Sequence, residues 1–207
     1  MRTIIMRRQV SILTIILVLN FLACSRSVGQ SKNNRIDKDT TFNIFGDKAY
    51  FLSFKIIQEK KDDDPHFGTL TLTHKINGKT DVLLKDTVEF FMPLLQLKDF
   101  NNDQTNDILI LNTSSTRSVW THHLYLVDNK NHKLIPVKNF EELYNPEFDS
   151  KNNIIISTAI YSKIFYSFYR IGTDNKLINL GHGFEGDMTE ADDAKYKNAI
   201  KSITEKD

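Results

Sequence analysis

Repeated strand–turn–strand patterning is the feature that most limits the folds open to this chain. In "LTLTHKINGKTDVLL", two alternating apolar–polar runs flank Asn77 and Gly78, which tolerate the positive φ of a tight hairpin turn. The pattern recurs in "FNIFGDKAYFLSFKII", "HHLYLVDNKNHKLIPV", "EFDSKNNIIISTAI" and "FYSFYRIGTDNKLINL". Consecutive hairpins of this kind predict an all-β fold of antiparallel hairpins, in a propeller-like or meander array.

Helical signals are confined to two places. "NFEELY" predicts one turn before Pro146. Near the C-terminus, Thr189 can cap a helix with Asp192 three residues on, and an apolar face follows at helical spacing, formed by Tyr196, Ile200 and Ile203. The predicted organisation is a signal peptide (residues 1–23), a polar tether (24–41), a β-rich domain (42–188) and a C-terminal helix and tail (189–207).

The N-terminus has the pattern of a secretory signal. Arg2, Arg7 and Arg8 precede the apolar run "VSILTIILVLNFLA". A membrane-spanning helix needs about 18 to 20 apolar residues, so this run is too short to serve as one. The sequence therefore predicts export from the cytoplasm.

Cys24 is the only cysteine, and it directly follows that run in "FLAC". The stretch resembles the lipobox of bacterial lipoproteins, which implies acylation of Cys24 and attachment to the periplasmic or outer face of a membrane. The alternative is cleavage after Gly29, which would discard Cys24 and release a chain starting at Gln30 to the periplasm.

Composition and motif content narrow the functional classes. A hydrophobic fraction of 40%, with 14 Phe and 7 Tyr, is typical of a folded domain. The formal net charge of +1 supplies no field to attract nucleic acid. The sequence contains no G-x-S-x-G, no H-E-x-x-H and no glycine-rich phosphate loop, so we do not expect an enzyme.

"LKDFNNDQTNDILIL" places polar side chains at alternate positions before an apolar strand. Oxygen ligands at alternate positions of a tight loop can converge on Ca²⁺, because the loop turns them inward. The predicted ligands are the side chains of Asp99, Asn101, Asp103 and Asp107 with the Thr105 carbonyl. Such loops usually carry Gly at the position of Gln104, because the backbone there needs a positive φ. A positive φ costs a non-Gly residue about 1 to 2 kcal/mol. The alternative is a solvated polar turn without a metal.

The segment "STRSVWTHH" holds the only Trp. Trp and Arg are frequent anchors of protein interfaces, so Arg117, Trp120 and His122 are candidate partner contacts. The alternative for Trp120 is burial in the core. His122 and His123 are adjacent in a predicted strand and should face opposite sides of it.

"DFNNDQTNDILIL" resembles the calcium loops of FG-GAP-type and related β-propeller proteins. Residues 97–180, including "NPEFD" and the tyrosine-rich strand ending in "FYRI", are similar to a family of small periplasmic lipoproteins. This resemblance implies a propeller-like β fold with one structural calcium loop. It also implies inhibition of a lysozyme-like peptidoglycan hydrolase, as in immunity proteins to type IV-secreted effectors.

The sequence-based hypothesis is therefore an exported, lipid-anchored, calcium-binding inhibitor or immunity protein of the cell envelope. Its partner would be a lysozyme-like hydrolase, and the lipid anchor would be its only membrane contact. The alternative is a structural or surface lipoprotein of the envelope without inhibitory activity.

Overall fold

The computed structural model of the protein describes residues 32–35, 40–58, 66–90, 92, 94–114, 119–187 and 189–205. The predicted signal peptide, Cys24, Arg117 and most of the predicted tether lie outside the described residues. In the described part, the strands in chain order are β1 (Lys32–Arg35), β2 (Thr40–Phe42), β3 (Tyr50–Gln58), β4 (His66–Ile76), β5 (Lys79–Phe90), β6 (Leu94–Lys98), β7 (Asp107–Ser114), β8 (Trp120–Asp128), β9 (Lys133–Pro136), β10 (Glu147–Asp149), β11 (Ile154–Ile160), β12 (Ile164–Ile171), β13 (Leu177–Asn179) and β14 (Phe184–Gly186).

The strands form three antiparallel sheets. The N-terminal sheet has the order β2-β3-β4-β5, the middle sheet β1-β6-β7-β8-β9, and the C-terminal sheet β10-β11-β12-β13, with β14 also paired to β12. The prediction of a mostly antiparallel β fold with a short C-terminal helix is confirmed. No helix in the described residues is long and apolar enough to cross a membrane.

Local turn and cap chemistry accounts for the hairpins and the helix. Asn77 and Gly78 connect β4 to β5 at φ of 49° and 78°. Phe140–Glu142 forms the predicted single turn, as a 3₁₀ helix. Helix α1 (Glu190–Thr204) begins at Thr189, which forms the predicted capping box with Asp192. Ala199 and Ile203 bury the apolar face of α1 against the C-terminal sheet, with Tyr196 and Ile200 beside them.

Each sheet packs against the next sheet along the chain through a common hydrophobic core. One cluster, which includes Phe54, Phe90 and Ile108, lies between the N-terminal and middle sheets. A second cluster, which includes Leu109 and Phe140, lies between the middle and C-terminal sheets. The middle sheet is therefore buried on both faces, which explains why "DILIL" in β7 is continuously apolar rather than alternating.

Two segments differ from the sequence prediction. Lys32–Arg35, inside the predicted tether, forms β1 and pairs with β6. Phe184–Gly186 forms β14 on the edge of β12, where the glycine-containing stretch "LGHGFEGDM" suggested a plain connection. Both are short strands that pair with the free edge of a longer strand. Local sequence patterns do not predict such pairing, because the partner strand is distant in the chain.

Gly68 of β4 lies directly against the core ring of Phe54. A Cβ at this position would come 2.5 Å from the Phe54 ring. That ring is fully buried and packs edge-on against Phe90 at 5.3 Å, so it has little room to move. We expect Gly68→Ala to lower the free energy of unfolding by about 1 to 3 kcal/mol, measured by urea denaturation. The loss should shrink when Phe54→Leu is added, and an unchanged loss would contradict overpacking as its cause.

Candidate functional site

The candidate metal loop connects β6 to β7 and is closed by the Lys98–Asp107 pair. Asp99 organises its first half: Oδ1 accepts hydrogen bonds from the N–H groups of Asn101 (3.1 Å) and Asn102 (2.7 Å), and Oδ2 accepts one from Gln104 (2.9 Å). The loop thus wraps around the first predicted ligand.

The next two predicted ligands contact each other. Asn101 Oδ1 accepts a bond from the Asp103 N–H (3.1 Å), and its Nδ2 donates to Asp103 Oδ2 (3.0 Å). Asp103 Oδ1 accepts from the Thr105 N–H (2.7 Å). The Thr105 hydroxyl accepts a bond from Asn129 beyond β8, at 2.9 Å. Asp99, Asn101 and Asp103 therefore lie together on one tight loop.

Gln104 adopts the backbone conformation that the loop pattern requires. Its φ is 67°, and that of Asn102 is 62°. The left-handed turn expected at this position is therefore present with a glutamine in place of the usual glycine. The strain is of the order of 1 to 2 kcal/mol, which the hydrogen bonds to Asp99 help to offset.

Asp107, the fourth predicted carboxylate or amide ligand, is directed into the protein. It is fully buried; Oδ2 accepts a bond from the Phe100 N–H (2.8 Å) and Oδ1 from the Val127 N–H of β8 (2.9 Å). Burial raises the pKa of this carboxyl to about 7, against the lowering effect of the two N–H bonds, and the charges of Asp103 and Asp99 raise it further. Asp107 joins the loop to β8.

The donor set of the loop has the chemistry that calcium prefers. All the candidate ligands are oxygen atoms. Asp99 Oδ1 already accepts two N–H bonds, whereas Asp99 Oδ2, Asn101 Oδ1 and both Asp103 oxygens accept one each and retain a second lone pair. The pKa of Asp107 is raised mainly by its burial, and the nearby charges of Asp103 and Asp99, which a dication would neutralise, add a smaller part. Within the described residues, no three His, Cys, Asp or Glu side chains form a group that could hold a metal ion, and Asp107 gives both oxygens to backbone N–H groups. Asp99, Asn101 and Asp103 are the side chains that would hold calcium at the surface, with Asp107 behind them.

The two predicted partner contacts that the structure describes, Trp120 and His122, belong to the part of β8 near the other end of the β7–β8 hairpin. Trp120 pairs with Ser114 at the far end of β7. The seven residue steps from Asp107 correspond to about 23 Å. Trp120 is exposed. His122 is only 6% exposed and is therefore not available to a partner at the surface. Of the three residues predicted as contacts, Trp120 is the one that is both described and exposed.

Asn145, the first residue of "NPEFD", fixes the position of Trp120. Its Oδ1 accepts a bond from the Trp120 N–H (3.0 Å), its own N–H donates to the Trp120 carbonyl (2.7 Å), and its Nδ2 donates to the Thr158 carbonyl (2.9 Å). This one side chain joins β8 of the middle sheet to β11 of the C-terminal sheet. The dipeptide Asn145-Pro146 is a local turn signal in the sequence, and Asn145 has a positive φ of 44° in the structure.

Three more exposed aromatic residues lie at this end of the two sheets. Tyr144 accepts a backbone bond from Thr158, and Tyr161 and Phe165 flank the β11–β12 turn with ring centroids 6.3 Å apart. The exposed fractions are 36% for Trp120, 37% for Tyr144, 47% for Tyr161 and 40% for Phe165. These four residues are called the aromatic face below. Sequence reasoning found only Trp120, because the other three reach this end of the two sheets through strand pairing and the bonds of Asn145.

His122 and His123 face opposite sides of β8, as predicted. His123 Nε2 lies 3.1 Å from the Glu89 carbonyl, at the N-terminal sheet. Neither ring nitrogen of His122 has a hydrogen-bond partner among the described residues. Burial, with a smaller contribution from His123, lowers the pKa of His122 to about 4.

This buried histidine should make stability depend on pH. The pKa of His122 is lower in the folded protein than in the unfolded chain, where it is about 6.5. Its contribution to the free energy of unfolding is therefore fully present above pH 6.5 and is lost as the pH falls towards 4. Between pH 7.5 and 5 the wild type should lose about 2 kcal/mol relative to His122→Leu in urea denaturation. Asp107, whose raised pKa acts in the opposite direction, is present in both proteins and cancels from the difference. A difference that does not change with pH would contradict the buried neutral state of His122.

Comparisons with protein-family models, with curated proteins and with solved structures found no match to this chain.

Proposed function

We propose that this protein is an exported, calcium-binding, non-enzymatic inhibitor of a lysozyme-like peptidoglycan hydrolase, and that its aromatic face contacts the hydrolase. The observation that carries the proposal is that four exposed aromatic residues, Trp120, Tyr144, Tyr161 and Phe165, lie towards the same end of two sheets that Asn145 joins. Aromatic residues held on a rigid scaffold are typical centres of protein interfaces, because they bury a large area at a small entropic cost.

The position of Trp120 supports this role. Three hydrogen bonds through Asn145 hold its backbone and the neighbouring sheet, so little order has to be gained on binding. The signal-like N-terminus and Cys24 favour an anchored protein in the cell envelope, where peptidoglycan hydrolases act. The resemblance of residues 97–180 to inhibitory periplasmic lipoproteins points the same way.

The calcium loop has a structural role in this proposal. A calcium ion would be held by Asp99, Asn101 and Asp103 with the Thr105 carbonyl, and it would neutralise the carboxylates around buried Asp107. The loop lies far from Trp120 along the β7–β8 hairpin. Calcium would therefore stabilise the fold and would not contact the partner. We also propose that the three consecutive antiparallel sheets, each packed on the next, are arranged as blades of a propeller-like array.

Recovery of a hydrolase from the envelope tests the proposed contact. The protein, immobilised through its C-terminus, should retain an envelope protein that cleaves peptidoglycan, and Trp120→Ala should not retain it. Val82→Ala is the matched control, since Val82 is an exposed apolar residue of the N-terminal sheet, away from the aromatic face. Equal recovery by Trp120→Ala and Val82→Ala would exclude this face. Recovery of no peptidoglycan-cleaving protein would favour the alternative, an envelope lipoprotein without inhibitory activity.

A further inference from the structure

A cleft of about 260 Å³ opens between the N-terminal and middle sheets. Its apolar lining includes Leu124 of β8 and Val137, which follows β9, and both side chains are buried. Its polar lining comes from three separate elements: Asp86 lies on β5, Tyr125 on β8 and Glu141 in the 3₁₀ helix. The cavity is called the Asp86 cleft below.

Two carboxylates of the cleft lie near the Tyr125 hydroxyl. This hydroxyl donates a hydrogen bond to Asp86 Oδ2 at 2.8 Å. Burial and this bond raise the pKa of Tyr125, and the charges of Asp86 and Glu141 raise it further. Electrostatic effects fall with distance, so both carboxylates lie close to the same phenol oxygen. Because Tyr125 is only 3% exposed, it holds Asp86 in a fixed position at the cleft.

The charged side chains of the cleft keep bonding capacity for a ligand. Tyr125 uses Oδ2 of Asp86, and Oδ1 accepts no hydrogen bond from the described residues. Lys138 also lines the cleft, and in the described part of the chain neither its ammonium nor the Glu141 carboxylate forms an ion pair. A cleft that presents both signs of charge without pairing them is complementary to a ligand that carries both signs itself.

The volume and the apolar lining limit the ligand further. Pockets that hold drug-sized ligands measure roughly 300 to 1,000 Å³, so this cleft suits a smaller molecule. Leu124 and Val137 offer an apolar surface next to the charged groups. A small zwitterion with an aliphatic side chain combines these properties.

We propose that the Asp86 cleft binds a free amino acid with an aliphatic side chain. The ammonium group, which has three N–H donors, would bond to Asp86 Oδ1 and to the Glu141 carboxylate. The ligand carboxylate would pair with the Lys138 ammonium, and the aliphatic side chain would lie against the apolar lining. No residue of the aromatic face or of the candidate metal loop lines this cleft, so the site is independent of the proposed hydrolase contact.

Calorimetric titration with L-leucine and two of its derivatives tests the proposal. L-leucine should bind. N-acetyl-L-leucine, which lacks the ammonium group, and L-leucinamide, which lacks the carboxylate, should each bind at least about tenfold more weakly.

Variants assign each charge of the ligand to its partner. Asp86→Asn should lower the affinity for leucine about tenfold and should not lower that for N-acetyl-leucine, which has no ammonium group. Lys138→Gln should lower the affinity for leucine about fivefold and leave that for leucinamide unchanged. Lys176→Gln is the matched control: it removes the same charge opposite Lys138, from a residue that pairs with Asp174 and does not line the cleft.

Glu141→Gln provides a second test if Asp86→Asn fails to fold. Its side chain is exposed and forms no ion pair within the described residues, so the variant should keep the wild-type melting temperature and lose about fivefold in affinity for leucine. Absence of leucine binding would overturn the proposal, as would a derivative that binds as tightly as leucine. Undiminished leucine binding by Glu141→Gln and by every folded Asp86→Asn preparation would also exclude the cleft.

Discussion

Replacement of Asp107 by alanine should lower the free energy of unfolding by about 3 kcal/mol or more in urea denaturation at pH 6 without calcium. The variant leaves the N–H groups of Phe100 and Val127 without their acceptor inside a closely packed core. Burial raises the pKa of Asp107, so a mildly acidic pH reduces the buried charge whose removal would offset the loss.

Asp103→Ala is the matched control for this prediction. Asp103 is a carboxylate of the same loop, but it is exposed and its hydrogen bonds stay within the loop. Without calcium its replacement should cost less than about 1 kcal/mol. Equal losses for the two variants would contradict the account in which Asp107, and not Asp103, joins the loop to β8.

If the loop binds calcium as proposed, saturation should raise the stability of the wild type by about 4 kcal/mol at a free concentration a thousandfold above the dissociation constant. For a domain of this size the midpoint of thermal unfolding should rise by about 8 to 16 °C relative to chelator. Asp103→Ala should lose most of this increase, although it changes little without calcium. Identical midpoints for the wild type in calcium and in chelator would identify the loop as a plain polar turn.

The elements predicted correctly from the sequence are those with local causes. Asn77 and Gly78 define their hairpin because their own φ preferences suit the turn, and Thr189 caps α1 through a residue three positions on. The positive φ at Gln104 follows in the same way from the spacing of the loop around it.

Features that depend on distant partners were not predictable. The inward direction of Asp107 depends on an N–H group of Val127, twenty residues later in the chain. The strand β14 forms because part of the β12 edge is free to pair. The aromatic face exists because Asn145 joins two sheets, which brings Trp120 near residues that follow it by more than twenty positions.

Inhibition of peptidoglycan hydrolysis, measured as the clearing rate of a peptidoglycan suspension, tests the proposed function most directly. The lysozyme-like hydrolase recovered with the protein should lose nearly all activity at saturating wild type and Val82→Ala. Trp120→Ala, with an unchanged melting temperature, should need about thirtyfold more protein for the same effect, the loss expected for a central interface residue. Full hydrolysis at saturating wild type, for the recovered enzyme and for representatives of each lysozyme class, would contradict the inhibitory role.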